Sequence, residues 1–501
     1  MINKTNTMTI AALLLSACAA PDFKQPDVAT PEAFKEHQGQ GLDRARVLSA
    51  QDEVRRAADG STWTVARPAD PPARGEWWRA FNDPALDALI AEASGANQTL
   101  SAAAARVRQA RAIAGIAEAD RIPQVSAGVG AQRQRLSPLE ANQPPGSAVP
   151  ARSAYSARLS ASYEVDLFGR VSSGVAAARG DAATVEATYR AVLMALQADV
   201  AQTYLRLRAL DAELVTVERT VRLREESVRV TGRRFELGDI GEFDLSRART
   251  ELATARAEAI GLQRQRATSE HALAVLIGKP AAAFTAASKP LVDDAASASA
   301  STAAAPLPVI PAGLPSALLA RRPDIVGAQR AMEAANARIG VARSAMFPAL
   351  NLSADGGGVG GAFADVFRWS SRSWLLGAAL GMPVIDGGRN RNNVLRSEAA
   401  LEEAVATYRQ SVLVAFAEVE DNLAGLRVLA GQIEQTESAV VSARRSAELA
   451  QKLYDAGRGT YLELLDAQRN LATVERSAVK LRGDRALTTV ALIRALGGGW
   501  G

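Results

Sequence analysis

The chain repeats itself at a fixed distance. Residues 238–252 correspond to residues 457–471, so the offset between the two segments is 219. Within these segments the offset relates Leu245 to Leu464 and Ala248 to Ala467, and outside them it relates Phe235 to Tyr454, 187–190 to 406–409 and 169–170 to 388–389. One offset that holds over so much of the chain indicates a duplicated structural unit. The fold must therefore have internal pseudo-symmetry.

Each repeat has a long segment with apolar residues at intervals of seven. They are Val200, Leu207, Leu214, Val221 and Val228 in the first repeat, and Val419, Leu426, Ile433, Val440 and Ala447 in the second. A heptad pattern sustained this far predicts left-handed supercoiling against neighbouring helices. As one helix, residues 171–237 would reach about 100 Å, at about 1.5 Å per residue.

Each repeat also has two runs in which apolar residues alternate with polar or small ones, the pattern of a β-strand with unlike faces. These strand pairs fall at about 124–168 and about 349–385, and Gly356 to Gly358 predict a loop between the second pair. Four strands of about ten residues have the length and alternation of an outer-membrane barrel wall. Since the smallest barrels have about eight strands, several chains must combine, and three would supply about twelve.

The long segments end at glycines. Gly238 and Gly457 follow them where the chain must reverse into a return helix, and glycine suits such helix ends. Asn97 predicts the start of a further helix over 98–121, and Pro323 that of its counterpart in the second repeat. We expect these shorter helices to stack with the return helices beside the long ones, forming a helical tube.

The single cysteine, Cys18, follows a short apolar stretch and the residues Leu15, Ser16 and Ala17. This start resembles a bacterial lipoprotein signal, which implies that Cys18 is lipidated. Because Ala19 follows the cysteine, the usual sorting rule implies the outer membrane. A membrane-spanning anchor is the weaker interpretation, because a span needs roughly 20 apolar residues.

These features predict the following division of the chain: signal peptide 1–17, lipidated extended tail 18–75, first repeat 76–280 with its hairpin tip at about 237–242, Ala/Ser/Pro linker 281–311, and second repeat 312–501 with its tip at about 456–461.

Composition argues against several classes of function. The 58 basic and 54 acidic residues interleave along the helices, which is typical of solvated helix faces and predicts no nucleic-acid partner. His37 and His271 are isolated, and the sequence has no nucleophile elbow or phosphate loop. The sequence therefore predicts no enzyme, no cofactor and no metal site.

Several short motifs occur along the chain in a fixed order: Trp77-Trp78 with 81–84, Arg321 to Ile325, 335–343, Phe347-Pro348, 461–469 and 495–500. In this order and spacing they resemble the motifs of the TolC-like outer-membrane factors of the lipoprotein (NodT) branch. The resemblance covers nearly the whole mature chain. It implies a homotrimer with a twelve-stranded β-barrel in outer-membrane lipid and a periplasmic α-barrel. It also implies passive export of small molecules or drugs delivered by a periplasmic adaptor and an inner-membrane pump, with the resistance-nodulation-division type as the expected class.

The resemblance also implies a periplasmic aperture just after the second reversal. Leu462, Asp466 and Arg469 match its apolar constriction and carboxylate ring, and Glu463 falls where a relative has another acid. Tyr454 is retained, and the first-repeat counterparts are Phe243 and Asp244. From spacing alone, Asp466 and Arg469 would be an ordinary i,i+3 surface pair.

One position departs from the family pattern. Gly459 lies where the family pattern has an arginine that locks the closed tip, and the neighbouring Arg458 is a candidate substitute. At the reversals, Leu237, Gly238, Ala456 and Gly457 are small or apolar, which would let an adaptor hairpin approach closely. Helix termination alone also explains these four residues.

Two other functions fit parts of the sequence. A purely structural periplasmic coiled coil would explain the heptads but leaves the alternating strands unexplained. An outer-membrane channel for type I protein secretion would use the same architecture, and the sequence does not separate it from small-molecule efflux.

Overall fold

The computed structural model describes residues 21–26, 28, 30–31, 33–38, 54–56, 62–65, 76–291, 308–310 and 315–498. The predicted signal peptide, Cys18 and Trp500 lie outside these residues. The helices are α1 (Lys35–Gln38), α2 (Pro84–Ala96), α3 (Gln98–Ala119), α4 (Arg170–Glu236), α5 (Glu242–Leu276), α6 (Pro315–Arg321), α7 (Pro323–Ser344), α8 (Arg389–Asp455) and α9 (Tyr461–Ala495). The strands are β1 (Val54–Arg56), β2 (Thr62–Val65), β3 (Gln124–Gln134), β4 (Arg152–Val165), β5 (Pro308–Val309), β6 (Ala349–Gly360) and β7 (Arg372–Gly381).

The two repeats have the same helical plan. The long helices α4 and α8 have 67 residues each, and the return helices α5 and α9 have 35 each. Both ends of each long helix and of each return helix keep the 219-residue offset, from 170/389 to 276/495. The heptad residues Leu207, Val419 and Ile433 are fully buried, because that stripe faces neighbouring helices. Within the described ranges, none of the helices is both long and apolar enough to cross a bilayer.

By contacts between its residues the chain divides into two compact units. The first contains Ala105–Glu186 and Gly327–Arg409, and with them a four-stranded antiparallel sheet in the order β3-β4-β6-β7. The pairing register puts apolar side chains such as Leu159, Leu352 and Leu376 on one face. The other face has Arg158, Ser160 and Asp355, and the Ser160 hydroxyl donates to the Asp355 carboxylate at 2.6 Å.

The predicted loop at Gly356 to Gly358 is wrong, because these residues lie inside β6. The connection to β7 is instead 361–371, which contains the two 3-10 turns Phe363–Phe367 and Trp369–Ser371. The reason is close approach: a Cβ atom on Gly358 would lie 2.0 Å from the Val366 carbonyl oxygen. Glycine is needed here so that the connection can pack directly on the strand.

The second unit contains Val28–Ala104, Ala187–Val326 and Gln410–Gly501. Its core includes Trp77, Trp78 and Phe81 of the 3-10 turn Trp77–Phe81. Asp83 then caps α2: its carboxylate accepts from the Ala85 amide at 3.0 Å, and Pro84 takes the first helical position.

Asp83 also anchors this core to the long helix. The Tyr204 hydroxyl donates to the Asp83 carboxylate at 2.6 Å, and burial raises the pKa of Tyr204 to about 12. Arg208 donates to the Tyr204 hydroxyl at 3.0 Å and to the Ala287 carbonyl at 2.7 Å. The beginning of the linker segment is therefore attached to α4 by hydrogen bonds.

The same unit contains a second buried arginine, from the motif at 321–325. Arg322 donates to the Asp324 and Glu418 carboxylates at 2.7 and 2.6 Å and to the Ala495 carbonyl at 3.1 Å. The pKa of Asp324 is lowered by these interactions with Arg322, although burial alone would raise it. A small sheet of β1, β2 and β5, with antiparallel and parallel pairing, also belongs to this unit.

Candidate functional site

The two helical hairpins reverse in the same way. In the first tip, the N–H groups of Gly238 and Asp239 donate to carbonyls of the preceding helical turn at 2.9 and 2.8 Å. In the second tip, those of Gly457 and Arg458 do so at 3.0 and 2.9 Å. Both glycines have positive φ, 76° and 67°. Each reversal is a Schellman motif, which explains why glycine recurs at the 219-residue offset.

A hydrogen bond connects the two tips. The Arg234 Nη1 donates to the Tyr454 hydroxyl at 2.7 Å, and the Arg234 Nε lies 3.6 Å from the Asp239 carboxylate. Arg234 is at the end of α4 and Tyr454 at the end of α8, so this contact ties one hairpin to the other. The Tyr454 ring lies 6.0 Å from the ring of Tyr461, at the start of α9.

Tyr461 is the main apolar anchor below this contact. It is buried with Ala248 of α5 and Leu465 of α9. Its hydroxyl lies 3.0 Å from the Ser227 hydroxyl on α4, so its polar end is also satisfied. With Val228 of α4 and Tyr454 of α8 packed against it, the cluster joins all four helices that meet in the tip region.

Glu463, a predicted aperture residue, has a local partner. Its carboxylate accepts from the Thr460 amide at 2.8 Å, while the Thr460 hydroxyl accepts from the Glu463 amide at 3.3 Å. This reciprocal arrangement is a capping box that starts α9. The Glu463 side chain therefore has a role in ending the reversal, whatever else it does.

Spacing alone would suggest an ion pair between Arg469 and Asp466, but Arg469 pairs with a different residue. It makes a two-pronged ion pair with Glu251 of α5, in which Nε lies 2.9 Å from one carboxylate oxygen. The hydrogen bond from Arg469 lowers the pKa of Glu251, and the same bond raises the pKa of Arg469. Two parallel N–H to oxygen contacts are the strong geometry for this pair. This is a second link between the hairpins.

A third link lies close by on α4. The buried Arg224 donates to the Gln468 side-chain oxygen at 2.7 Å, and Gln468 donates to the Gln451 side chain at 3.3 Å. Burial lowers the pKa of Arg224, because the charged guanidinium loses water. Together the three links form a polar layer around the Tyr461 cluster.

The remaining predicted site residues are exposed or half-buried in the single chain. Leu462 and Phe243 are 51% and 73% exposed. Asp466 is exposed and Asp244 half-buried, and Asp466 accepts no hydrogen bond from the described part of the chain. These side chains are available for contacts that one chain cannot make with itself.

The predicted docking residues are also exposed. Leu237 is 81% exposed, and Gly238, Ala456 and Gly457 are also exposed. A Cβ atom on Gly238 or Gly457 would meet nothing within 4 Å, so neither glycine is required by packing inside the chain.

Sequence reasoning missed Arg234, Glu251 and Arg224. The repeat does not reveal them, because the residues at the equivalent positions of the second repeat have no charge. These residues are Leu453, Asn470 and Ala443, respectively. Arg458, the candidate substitute for the missing lock arginine, is exposed and makes no ion pair with described residues. No group of three or more metal-binding side chains occurs among the residues that the structure describes.

Comparison with known proteins identifies this architecture. Residues 89–279 and 314–498 match the protein family described as "Outer membrane efflux protein". The chain is similar to the toluene efflux pump outer membrane protein TtgC of Pseudomonas putida, with 34% identity over 496 residues, covering 99% of this chain and 95% of TtgC. It is 35% identical over 429 residues to the pyoverdine export outer membrane protein OpmQ of Pseudomonas aeruginosa, covering 85% and 87% of the two chains.

A solved structure has the same fold. The outer-membrane channel OprN matches with a TM-score of 0.79 and 26% identity, over 96% of this chain and 99% of OprN. The predicted fold class, mainly helical and duplicated with a membrane β part, is therefore confirmed, as are the outer-membrane location and the efflux function. Since the family match covers more than half of the chain, the protein belongs to the outer membrane efflux protein family.

Proposed function

We propose that three copies of this chain form the exit channel of a tripartite efflux pump and that the hairpin tips form its periplasmic gate. A periplasmic adaptor and an inner-membrane pump would deliver small molecules, which the channel passes outward without catalysing a reaction. The relatives are named for toluene and pyoverdine, which differ widely in chemistry. Selection of the substrate therefore belongs to the pump and adaptor.

Assembly of three chains is supported by the sheet. β3 and β7 are its two edge strands, and each has a partner on one side only within the described residues. An exposed edge offers a row of unpaired backbone groups to another chain. Pairing of β7 with β3 of the next copy would remove the edges and close a barrel of about twelve strands.

The gate is supported by the contacts between hairpins. Arg234–Tyr454 and Glu251–Arg469 both join the first hairpin to the second within one chain. The single observation that carries the proposal is this pair of links beside two exposed side chains, Leu462 and Asp466, which form no hydrogen bond with the described residues. Such links would hold the second hairpin in the closed position, and breaking them would free it to move.

Asp466 is proposed to line the narrowest point. Threefold symmetry would bring three Asp466 carboxylates around the axis, with Leu462 one helical turn before them. Like charges at close range repel, so this ring would favour bound cations and a gate that opens when the links are released.

The exposed tip residues are proposed as the adaptor contact, and Cys18 as the site of a lipid anchor. Leu237, Gly238, Ala456 and Gly457 present a surface of small and apolar groups at the end of the hairpins. Close helical packing uses small residues, because they let backbones approach. Cys18 lies outside the described residues, so its lipidation rests on the sequence motif alone.

Replacement of Asp466 by Ala tests the gate. Asp421→Ala, an exposed aspartate on α8, is the matched control. In planar bilayers, Asp466→Ala should raise the fraction of time in the conducting state and reduce the preference for cations, while Asp421→Ala should match the natural protein. In cells lacking their own channel, the same variant should admit a large antibiotic that the outer membrane normally excludes.

Export must be measured with the pump and adaptor present. Restored resistance to small toxic compounds would support efflux, whereas secretion of a protein substrate without such resistance would favour the type I secretion role. Unchanged conductance and ion preference in Asp466→Ala would overturn the gate assignment.

A further inference from the structure

The apolar face of the membrane sheet has polar residues at one end only. Taking strand positions with the parity of Val125, Leu159, Leu352 and Leu376, the face contains only apolar residues and glycine except at Arg133, Ser153 and Arg372. All three lie next to the connections 135–151 and 361–371. At the opposite end, where the strands meet the helices, the face ends in Val125, Val165, Leu350 and Leu380.

The connection 361–371 packs on the apolar face at the end that has the polar residues. Arg372 pairs in register with Gly358, and a Cβ atom on Gly358 would point at the Val366 carbonyl oxygen. Val366 is only 3% exposed, and the Phe363 ring meets the Tyr155 ring edge-on at 6.4 Å. The connection is thus a packed structure on the apolar face.

Two arginines stand out on this packed connection. Arg368 contacts the Asp365 carboxylate at 3.1 Å and its side chain is 70% exposed. The Arg372 guanidinium lies 4.7 Å from the centre of the Trp369 ring, and it makes no hydrogen bond with the described residues. Trp369 itself is 81% exposed and Phe367 64%. The connection therefore has exposed aromatic rings together with two arginines that can donate further hydrogen bonds.

The surroundings of this end follow from the fold. In an outer-membrane channel the apolar face of the strands lies against lipid tails, and aromatic side chains mark the level of the headgroups. The connections lie at the strand ends away from the helices, so they face the outer leaflet if the helices are periplasmic. Outer-leaflet lipids are phosphorylated glycolipids, and arginine binds phosphate in two-pronged geometry.

We propose that Arg368 and Arg372, with Trp369, form a binding site for the phosphate of an outer-leaflet glycolipid. The proposal rests on the orientation given under the proposed function. Trp369 would hold the Arg372 guanidinium in place through its ring face, and Arg368 would exchange its exposed contact with Asp365 for the phosphate. The exposed rings of Phe367 and Trp369 would lie along the adjoining acyl chains.

The competing explanation is that Arg368 and Arg372 only keep the loop soluble. Two arginines on the opposite face of the sheet provide a control for that explanation. Arg152 and Arg158 have the other parity on β4, so they face the proposed bore. Removing them changes the net charge by the same amount as removing Arg368 and Arg372. Any general effect of charge would appear in both pairs of variants.

The test uses the purified full-length protein in neutral detergent. Native mass spectrometry would measure bound lipid with three probes: lipid A bearing both phosphates, the same glycolipid with the phosphates removed, and phosphatidylglycerol. The proposal predicts a preference for phosphorylated lipid A. In R368Q/R372Q that binding should weaken by about 25-fold, at roughly fivefold per arginine, whereas R152Q/R158Q should bind as the natural protein does.

Equal binding by R368Q/R372Q would overturn the proposal, as would equal binding of the dephosphorylated lipid or stronger binding of phosphatidylglycerol. If the double variant does not assemble, R368Q alone serves, because residue 368 lies outside the strands. R368K/R372K keeps the charge but loses the two-pronged geometry, so it should bind more tightly than R368Q/R372Q and less tightly than the natural protein. Single-channel conductance of R368Q/R372Q should be unchanged, so failure of this proposal and failure of the channel function are distinguishable.

Discussion

Arg234 donates a hydrogen bond to the hydroxyl of Tyr454 at 2.7 Å, and this contact joins the end of the first long helix to the end of the second. The two residues are 220 positions apart in the chain. The partner of Tyr454 is thus an arginine of the other hairpin, whereas the second tip itself has Gly459 and an exposed Arg458.

Replacing Arg234 by Ala should therefore weaken the closed tip. A hydrogen bond with a charged donor contributes about 1.5–3 kcal/mol when buried, and this one is partly exposed, so about 1 kcal/mol is expected. That difference would raise the open population of each chain roughly fivefold. Conductance in planar bilayers checks it, with Tyr454→Phe expected to reproduce most of the effect.

Arg458→Ala is the matched control for this prediction. Arg458 is exposed, lies in the second tip, and forms no ion pair with described residues. Its removal should leave the conductance unchanged. A larger effect from Arg458→Ala than from Arg234→Ala would mean that Arg458 takes the place of the missing lock arginine.

The second link should make the tip sensitive to acid. Arg469 holds the pKa of Glu251 below its usual value, so the ionised carboxylate is favoured in the folded protein. The stabilisation is complete above the unfolded pKa of about 4.3 and is lost as the pH falls through the lowered folded pKa. Between pH 7 and 5 the tip should therefore stay closed, and below about pH 4 it should loosen.

Replacing Glu251 by Gln should remove that acid transition and leave the tip loosened at every pH. Glu448→Gln is the control, because Glu448 is exposed and pairs with Arg445 on its own helix. Conductance recorded from pH 7 to 3 provides the measurement. If natural protein and Glu251→Gln respond to acid alike, another group titrates at the gate.

The sequence predicts the helices of this protein better than it predicts the contacts of the candidate site. The 219-residue offset and the heptads predict the long helices closely. A helix that buries one side needs apolar residues at regular intervals, and that periodicity is visible in the sequence. The sequence predicts a loop at the glycines of β6, and this is wrong, because glycine is required there by the packing of Val366 on the strand. Close approach between distant segments leaves no periodic pattern.

The links in the tip were invisible for a related reason. Arg469 has an acidic neighbour at the i,i−3 position, but it pairs with Glu251, 218 residues away. Asp466 is local and exposed, whereas Glu251 is positioned by the packing of α5 against α9 around Tyr461. Which charged side chains meet across two packed helices depends on how each helix is rotated about its axis. Many charged residues on these helices could pair, so the sequence alone does not select the partners.

Alanine at the tip glycines should destabilise the reversals. Gly238 and Gly457 have φ of 76° and 67°, and a left-handed conformation costs a residue with a Cβ about 1–2 kcal/mol. Gly431→Ala is the matched control: Gly431 lies inside α8, has nothing within 4 Å of a Cβ position, and should gain about 0.5–1 kcal/mol. Hydrogen exchange at the tips would report the loss as faster exchange for Gly238→Ala and Gly457→Ala. Faster exchange for Gly431→Ala as well would indicate a general effect of the substitution.

An ion pair recurs at the 219-residue offset with its charges exchanged. Arg256 donates to Glu225 at 2.7 Å in the first hairpin, and Arg444 donates to Glu475 at 2.7 Å in the second. Glu225 corresponds to Arg444, and Arg256 to Glu475. A return helix placed beside the wrong long helix would therefore bring together like charges, so the exchange favours correct pairing of otherwise similar helices.

Reversing one charge should therefore weaken its hairpin, and reversing both should restore it. Glu225→Arg puts two arginines in contact, and the double variant Glu225→Arg/Arg256→Glu re-forms the pair with the polarity of the second hairpin. For an exposed pair the coupling energy should be about 0.5–1 kcal/mol. The temperature at which the assembled protein dissociates in detergent should fall for each single variant and recover in the double variant. Additive losses in the double variant would show that the two charges do not interact and that the heptads alone select the helix partners.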